Sequence, residues 1–165
     1  MDGQLSQRAE YNGMKGKIFT NQDATSMLPL VRRIVTDAKA CTTLIARHER
    51  DIILLRKQLE ETAQDLSKEE IEPILVSICE HEDKLTALRK KRATCSQELE
   101  DIGAFLSDAE TGVVKFYGEI NSRIVYYVWQ LGEPEVAFWH EIEGEFSDRQ
   151  SIDGDEKIAQ GANSN

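Results

Sequence analysis

Apolar residues recur at alternating steps of three and four along two long stretches of the chain, residues 38–66 and 71–106. Steps of this size place apolar side chains along one seam of a helix. The two seams contain, in order, Ala38, Cys41, Ile45, His48, Ile52, Leu55, Leu59, Thr62 and Leu66, then Ile71, Ile74, Ile78, His81, Leu85, Leu88, Arg92, Cys95, Leu99, Ile102 and Leu106. The pattern predicts two long helices that pack along their seams.

The segment between the two seams carries the signals of a helix start. Ser67 is followed three residues later by Glu70, a combination that caps helix N-termini, and Pro73 is close enough to this start to be tolerated. Thr20, followed by Asp23, gives a similar signal ahead of the first helix. A turn this short makes the two long helices antiparallel.

A turn near Ser67 also predicts which seam residues face each other. The pairs are Leu66 with Ile71, Leu59 with Ile78, Ile52 with Leu85, Ile45 with Arg92, and Cys41 with Cys95. This register places His48 and His81 in different layers, about seven residues apart along the hairpin and too distant for one metal site.

After residue 106 the composition changes to β-branched and aromatic residues. Residues 113–117, 123–131 and 135–142 have the composition of strands, and glycine-containing turns separate them. One apolar face would combine Val125, Tyr127, Trp129 and Leu131 with Val136, Phe138, His140 and Ile142. Three strands alone are marginally stable, so the sheet must pack on the base of the hairpin.

The sequence therefore predicts an α+β protein with a long, coiled-coil-like, antiparallel α-helical hairpin and a small three-stranded antiparallel β-meander packed at its open end. One domain spans residues 18–152. Its expected parts are the hairpin at about 23–106, the meander at about 112–142 and a C-terminal loop at 143–152. A flexible tail is expected at 1–17 and a disordered tail at 153–165.

Charge and composition argue against several classes of function. The 165-residue chain has a formal net charge of −10, which opposes general attraction to nucleic acid or anionic membrane. No apolar run approaches the roughly 20 residues that span a bilayer, and the N-terminus lacks the apolar core of a secretion signal. We expect a cytoplasmic protein whose cysteines, Cys41, Cys79 and Cys95, are reduced and buried.

The candidate functional side chains are most concentrated between residues 129 and 141. The candidates for binding a ligand or metal are Trp129, Glu133, Glu135, Trp139, His140 and Glu141. A histidine near carboxylates can ligate a divalent metal or transfer protons, and His140 is the best metal candidate. Strand alternation separates it from Glu141, so a second ligand would come from another element, such as Asp108 or Glu110. A structural histidine in an aromatic core is the open alternative.

A weaker candidate is a basic patch midway along the hairpin, where a phosphate or an RNA backbone would bind. It comprises Arg47, Arg50, Arg89, Lys90, Lys91 and Arg92. Glu49 and Asp51 lie alongside and reduce its field. Charges on such helices usually form a solvated face with local ion pairs.

Several motifs together resemble a known family. They are Phe19-Thr20, Leu28-Pro29, Gly112-Val-Val, the stretch Val125 to Glu141 with Trp-Gln-Leu-Gly-Glu-Pro-Glu, and Arg149-Gln150. Over residues 18–152 the chain resembles the bacterial domain of unknown function (DUF) family 2203, which implies no established reaction, substrate or cofactor. The chain departs from the family's usual glycines at Glu145 and Asp148, which add carboxylates and remove backbone freedom.

These observations favour a binding or interaction protein over an enzyme. The hairpin would be an arm for docking or for dimerisation, so we expect a protein partner or a homodimer, and neither nucleic acid nor membrane. The first alternative is a metal- or ligand-dependent protein, or an enzyme, that uses His140 with nearby carboxylates and a divalent metal. The second is an RNA- or ribosome-associated arm that uses the basic patch.

Overall fold

The computed structural model describes residues 16–153. Of the tails expected at 1–17 and 153–165, residues 1–15 and 154–165 lie outside this range. Three α-helices, six strands and one 3-10 helix make up the described part. In chain order they are β1 (Ile18–Phe19), α1 (Asn21–Ser26), α2 (Leu28–Thr62), α3 (Lys68–Asp101), β2 (Ala104–Asp108), β3 (Val113–Ile120), β4 (Arg123–Gln130), β5 (Phe138–His140), the 3-10 helix (Phe146–Asp148) and β6 (Gln150–Ser151). The α+β prediction is confirmed.

Side-chain caps begin α1 and α3 where the sequence predicted them, whereas α2 begins without a side-chain cap. The Thr20 hydroxyl accepts a hydrogen bond from the Asp23 amide at 3.0 Å, ahead of α1. The Ser67 hydroxyl accepts from the Glu70 amide at 3.3 Å, and the Glu70 carboxylate accepts from the Ser67 amide at 2.9 Å, so α3 starts with a complete capping box. The two long helices α2 and α3 pack against each other as an antiparallel hairpin.

The predicted register of the hairpin is wrong by about one heptad. His48 Nδ1 lies 2.8 Å from His81 Nδ1, so the two histidines form one layer rather than two. The reason lies in the position of the turn. The predicted pairs place its centre beyond Ser67, whereas α2 ends at Thr62 and the turn covers residues 63–67. A displacement of about seven residues still puts seam opposite seam, so the apolar pattern alone cannot detect it.

The three cysteines differ in burial. Cys41 and Cys95 are buried free thiols, whereas Cys79 is exposed, contrary to the expectation that all three are buried. Burial is the main cause that raises the pKa of the Cys95 thiol, and Cys41 adds to the effect. Cys41 and Cys95 are therefore core residues.

The sheet contains the predicted antiparallel meander and three further strands. Strands β3, β4 and β5 are neighbours and antiparallel, and β6 pairs with β5. At the other edge, β3 pairs with β2 along one part and with β1 along another, and the β1 pairing is parallel, so the sheet is mixed. The helix predicted to reach residue 106 ends at Asp101, because Gly103 adopts a φ of +86° that terminates it.

The third strand of the meander presents the opposite face from the one predicted. Tyr127 pairs with Trp139, so Trp139 shares the core-facing side of the sheet with Tyr127 and Trp129. Phe138 and His140 therefore lie on the outer face, because successive strand residues alternate sides.

Two separate apolar cores stabilise the molecule. The larger one joins the start of α2 and the end of α3 to the inner face of the sheet, and includes Leu28, Val31, Leu99, Phe116 and Trp129. The smaller one lies further along the hairpin and contains four buried residues, Ile45, Ile52, Ile78 and Leu85. The sheet thus packs at the open end of the hairpin, and the rest of the hairpin projects away from it.

The side chains of Glu145 and Asp148 order the C-terminal loop. Glu145 precedes the 3-10 helix and Asp148 is its last residue, and the two cap it reciprocally; the Asp148 carboxylate accepts a hydrogen bond from the Glu145 amide at 2.8 Å. These side-chain hydrogen bonds fix the start of the 3-10 helix.

Candidate functional site

The Gly-Glu-Pro-Glu turn between β4 and β5 is organised by Glu133. Its carboxylate accepts the Gln130 amide at 2.6 Å, and its backbone carbonyl accepts the Trp129 indole N–H at 2.9 Å. Gly132 adopts a φ of +107°, a conformation in which glycine is favoured. The glycine and the carboxylate therefore fix the shape of this turn.

Two arginines connect this turn to the rest of the molecule. Arg149, just before β6, donates to both carboxylate oxygens of Glu133 at 3.0 and 3.1 Å, and its guanidinium lies over the rings of Phe138 and Phe146. Arg32 of α2 donates to the carbonyl of Pro134 at 3.0 Å and to that of Glu133 at 3.3 Å. The Arg149–Glu133 pair is mostly shielded from solvent, so water screens it less than a surface pair.

His140 is buried on the outer face of the sheet, with 1% of its surface exposed. Its Nδ1 lies 2.6 Å from the carbonyl oxygen of Glu141, which can only accept, so Nδ1 carries the hydrogen. The edge of the ring approaches Tyr126, whose centroid is 5.8 Å away. Nε2 is buried and has no hydrogen-bond partner within residues 16–153. This environment is that of a histidine held in an aromatic layer.

The carboxylates predicted beside His140 are engaged elsewhere or exposed. Glu141 forms an ion pair with Arg123 at 2.8 Å, and Glu135 is exposed. Asp108 accepts hydrogen bonds from the Thr111 hydroxyl and from the amides of Glu110 and Thr111. These bonds, chiefly the one from the hydroxyl, hold the pKa of Asp108 below its usual value. In the described part of the chain, no group of three potential metal ligands includes His140.

An open cleft of about 490 Å³ lies beside this layer. The β2–β3 turn, the outer face of the sheet and the segment at 144–146 form its walls, including Asp108, Lys115, Gln130, Glu145 and Phe146. Its lining combines both charge signs with one aromatic ring. Tyr117, on the same sheet face, stacks on Tyr126, and burial is the main cause that raises the pKa of Tyr117 to about 12.

Other side chains engage two members of the predicted basic patch. Arg89 pairs with Glu49 at 2.7 Å, and Arg92 is half-buried and donates to the Thr42 hydroxyl at 3.4 Å. In the observed register, Arg89, Lys90, Lys91 and Arg92 lie closer to the sheet than Arg47 and Arg50. The Glu49 carboxylate therefore neutralises one cation of the predicted patch.

The sequence alone singles out neither Arg32 nor the role of Arg149. The Arg149-Gln150 pair stands in the sequence only as one of the motifs that resemble a known family. No local sequence signal marks Arg32, because it reaches its acceptors across more than 100 residues of chain. Only the tertiary fold brings it to the turn.

The fold and the site define an α+β protein in which a long helical hairpin projects from a mixed sheet with an ordered Glu133–Arg149 turn. Over residues 17–152 the chain matches the family model described as "Uncharacterized conserved protein (DUF2203)", and it belongs to that family. The expected resemblance is thereby confirmed. No curated protein and no solved structure matches the chain. Within residues 16–153, none of the helices is sufficiently long and apolar to pass through a bilayer.

Proposed function

We propose that the protein is a cytoplasmic binding module whose hairpin is a coiled-coil arm through which two copies of the chain associate. The observation that carries this proposal is a distal band of exposed aliphatic residues on both helices, formed by Ile53, Leu54, Leu75 and Val76. Their exposed fractions are 65%, 59%, 46% and 50%. They account for four of the seven large apolar residues that are exposed in the described part of the chain.

The register of the hairpin places the distal band at one level along the arm. Ile53 follows His48 by five residues, and Val76 precedes His81 by five, so both lie at one level on the turn side of the histidine layer. Clustered exposed apolar residues mark interaction sites more often than scattered ones do.

The seam below the distal band is incomplete in a single chain. Leu55 and Ile74 pack against the small core but stay half-buried, because two helices alone cannot enclose a seam. A second hairpin laid against the first would produce four helices, and four-helix bundles bury seams of this kind. Because the same patch on both copies would make the contact, two-fold symmetry would close the assembly.

The net charge of −10 predicts how salt affects this association. Two like-charged chains repel each other, and salt screens this repulsion over a Debye length of about 8 Å at physiological ionic strength. We therefore expect added salt to strengthen the dimer. An arm that binds RNA would respond in the opposite way, because counterion release weakens that binding as salt increases.

Light scattering of the purified chain tests the proposal. We expect a mass of twice 18.7 kDa at tens of micromolar protein. Leu54→Glu should yield the mass of one chain with unchanged helical circular dichroism, because it places a charge in the distal band. The matched control is Leu44→Glu, an exposed leucine on the same helix nearer the sheet, which should stay dimeric. A wild-type monomer at 100 µM, or a dimeric Leu54→Glu variant, would overturn the proposal.

A further inference from the structure

A cluster of potential metal ligands lies midway along the hairpin, separate from the candidate site in the sheet. His48 and Asp51 of α2 and His81 of α3 each offer one ligand atom, and these atoms lie within 4.8 Å of one another. All three side chains are half-buried. We propose that these three residues bind one divalent transition-metal ion of the zinc class.

The two histidines already meet through the atoms that would bind the metal. Their Nδ1 atoms are 2.8 Å apart and their ring planes are tilted by 57°, so the rings meet edge to edge through nitrogen. One Nδ1 must donate a hydrogen and the other must offer its lone pair. A metal ion would take the place of that shared hydrogen and accept a lone pair from each Nδ1, and the ring that had donated would then carry its hydrogen on Nε2. With metal–nitrogen bonds of about 2.0–2.1 Å, a tetrahedral site separates two nitrogens by about 3.3 Å, a small movement from the present distance.

Asp51 supplies the anionic ligand. It follows His48 by three residues on the same helix, and residues at that spacing share a helix face. The neighbouring carboxylates of Glu49 and Glu82 are each paired with an arginine, Arg89 and Arg56, at 2.7 Å. Those two ion pairs engage Glu49 and Glu82, so Asp51 is the carboxylate whose oxygen joins the histidine layer.

The donor set identifies the class of ion. Two imidazoles and one carboxylate suit zinc and its transition-metal neighbours, whereas calcium and magnesium prefer sites made of oxygen ligands alone. Three protein ligands leave a fourth position for water or for an external group. Because the ligands come from both helices, the bound ion would also connect α2 to α3.

Calorimetry with zinc and absorption spectroscopy with cobalt test this site in untagged, chelator-treated protein. We expect one zinc per chain, a cobalt spectrum typical of tetrahedral coordination, and no competition from millimolar magnesium or calcium. Zinc should raise the midpoint of thermal unfolding, because a ligand that binds only the folded state stabilises it. Absent stoichiometric binding, or displacement by magnesium, would overturn the proposal.

Variants assign the ligands and separate this proposal from self-association. Asp51→Asn should weaken zinc binding by about ten-fold or more while it preserves the contact between the histidines. The double variant His48→Ala/His81→Ala should abolish binding. The matched control, Asp83→Asn, changes an exposed carboxylate two residues after His81 and should bind as the wild type does.

Leu54→Glu, the variant designed to separate the dimer, should still bind one zinc per chain, because all three ligands come from one hairpin. If Asp51→Asn and the double-histidine variant retained wild-type affinity while folded, the ligand assignment would be wrong.

Discussion

The two ends of the hairpin are stabilised in different ways. Near the sheet, the helices contribute to a large core in which Leu99, Phe116 and Trp129 are fully buried. Towards the turn, only the two helices meet, and their small core leaves Leu55 and Ile74 half-buried. The sheet end therefore has the packing of a complete domain, whereas the turn end has the packing of half a bundle.

This difference assigns different tasks to the two ends. A region with few buried apolar contacts opens at a lower free energy than the global unfolding reaction. We infer that the sheet end sets the global stability of the chain, while the turn end is available for a partner and for the metal that we propose. Substitutions at equivalent residues in the two regions test this division directly.

The largest expected difference is between two leucines on the same helix. Leu99→Ala in the large core should destabilise the protein by about 4 kcal/mol, because it leaves a cavity that the surrounding sheet and helices cannot fill. Leu85→Ala in the small core should cost about 2 kcal/mol, because two helices can move together more easily. Chemical denaturation of both variants measures the two free energies.

Hydrogen exchange adds a second measurement to this pair. Leu85→Ala should accelerate exchange near the turn and leave the sheet amides protected, whereas Leu99→Ala should accelerate exchange throughout. Equal free energies together with uniform acceleration in both variants would show that the molecule is one cooperative unit, contrary to the comparison.

Removing one partner of the Glu133–Arg149 pair, at the sheet end, should have the next largest effect on stability. Glu133→Ala should destabilise the protein by about 3 kcal/mol, because it removes the partner of a mostly buried guanidinium and the acceptor of the Gln130 amide. Glu135→Ala, an exposed glutamate two residues later, is the matched control and should change stability little. A double-mutant cycle with Arg149→Ala measures the coupling, and a coupling of zero would show that the pair is independent.

His140 should show a smaller effect. His140→Ala should cost about 2 kcal/mol, since it removes a buried ring and the donor to the Glu141 carbonyl. His140→Asn offers an amide hydrogen at a similar position and should recover about 1 kcal/mol. Zinc binding should be unaffected in both variants. If folded His140→Ala lost zinc binding, the metal site would lie in the sheet and not in the hairpin.

The hairpin could be predicted from the sequence because heptad spacing, the Ser67 capping box and a short turn act within a few residues. The register could not, because a seven-residue displacement still places seam residues opposite seam residues. The polar members of the seams distinguish the two registers. The observed register pairs His48 with His81, whereas the predicted register puts these histidines in different layers.

The sheet shows a second limit of what the sequence can predict. Strands β3 and β4 could be predicted because they are long and rich in β-branched and aromatic residues. Strands β1 and β6 contain only two residues each, and β1 also pairs far away in the sequence, where Ile18 lies opposite Tyr117. Likewise, Val-Ala-Phe-Trp-His is apolar at neighbouring positions, so alternation alone cannot decide whether Trp139 or His140 faces the core. The Glu133 turn was found in the sequence, but its arginine partners required the tertiary structure.

The smallest expected effect comes from two exposed carboxylates, Asp108 at the sheet end and Glu70 at the turn end. Hydrogen bonds in turns lower the pKa of both, chiefly from the Thr111 hydroxyl for Asp108 and from the Ser67 amide for Glu70. A lowered pKa in the folded state means that each carboxylate stabilises the fold above its unfolded pKa, near 4. That contribution is lost as the pH falls through the folded value.

Asp108→Asn and Glu70→Gln remove these two titrations. Asp108→Asn should lower the midpoint of global unfolding at neutral pH, and its difference from the wild type should shrink below about pH 4. Glu70→Gln should instead change hydrogen exchange only near the hairpin turn, because that turn opens independently of the sheet core. If Glu70→Gln lowered the global midpoint as much as Asp108→Asn did, the turn would belong to the same cooperative unit as the sheet, and the two ends of the hairpin would not differ as we infer.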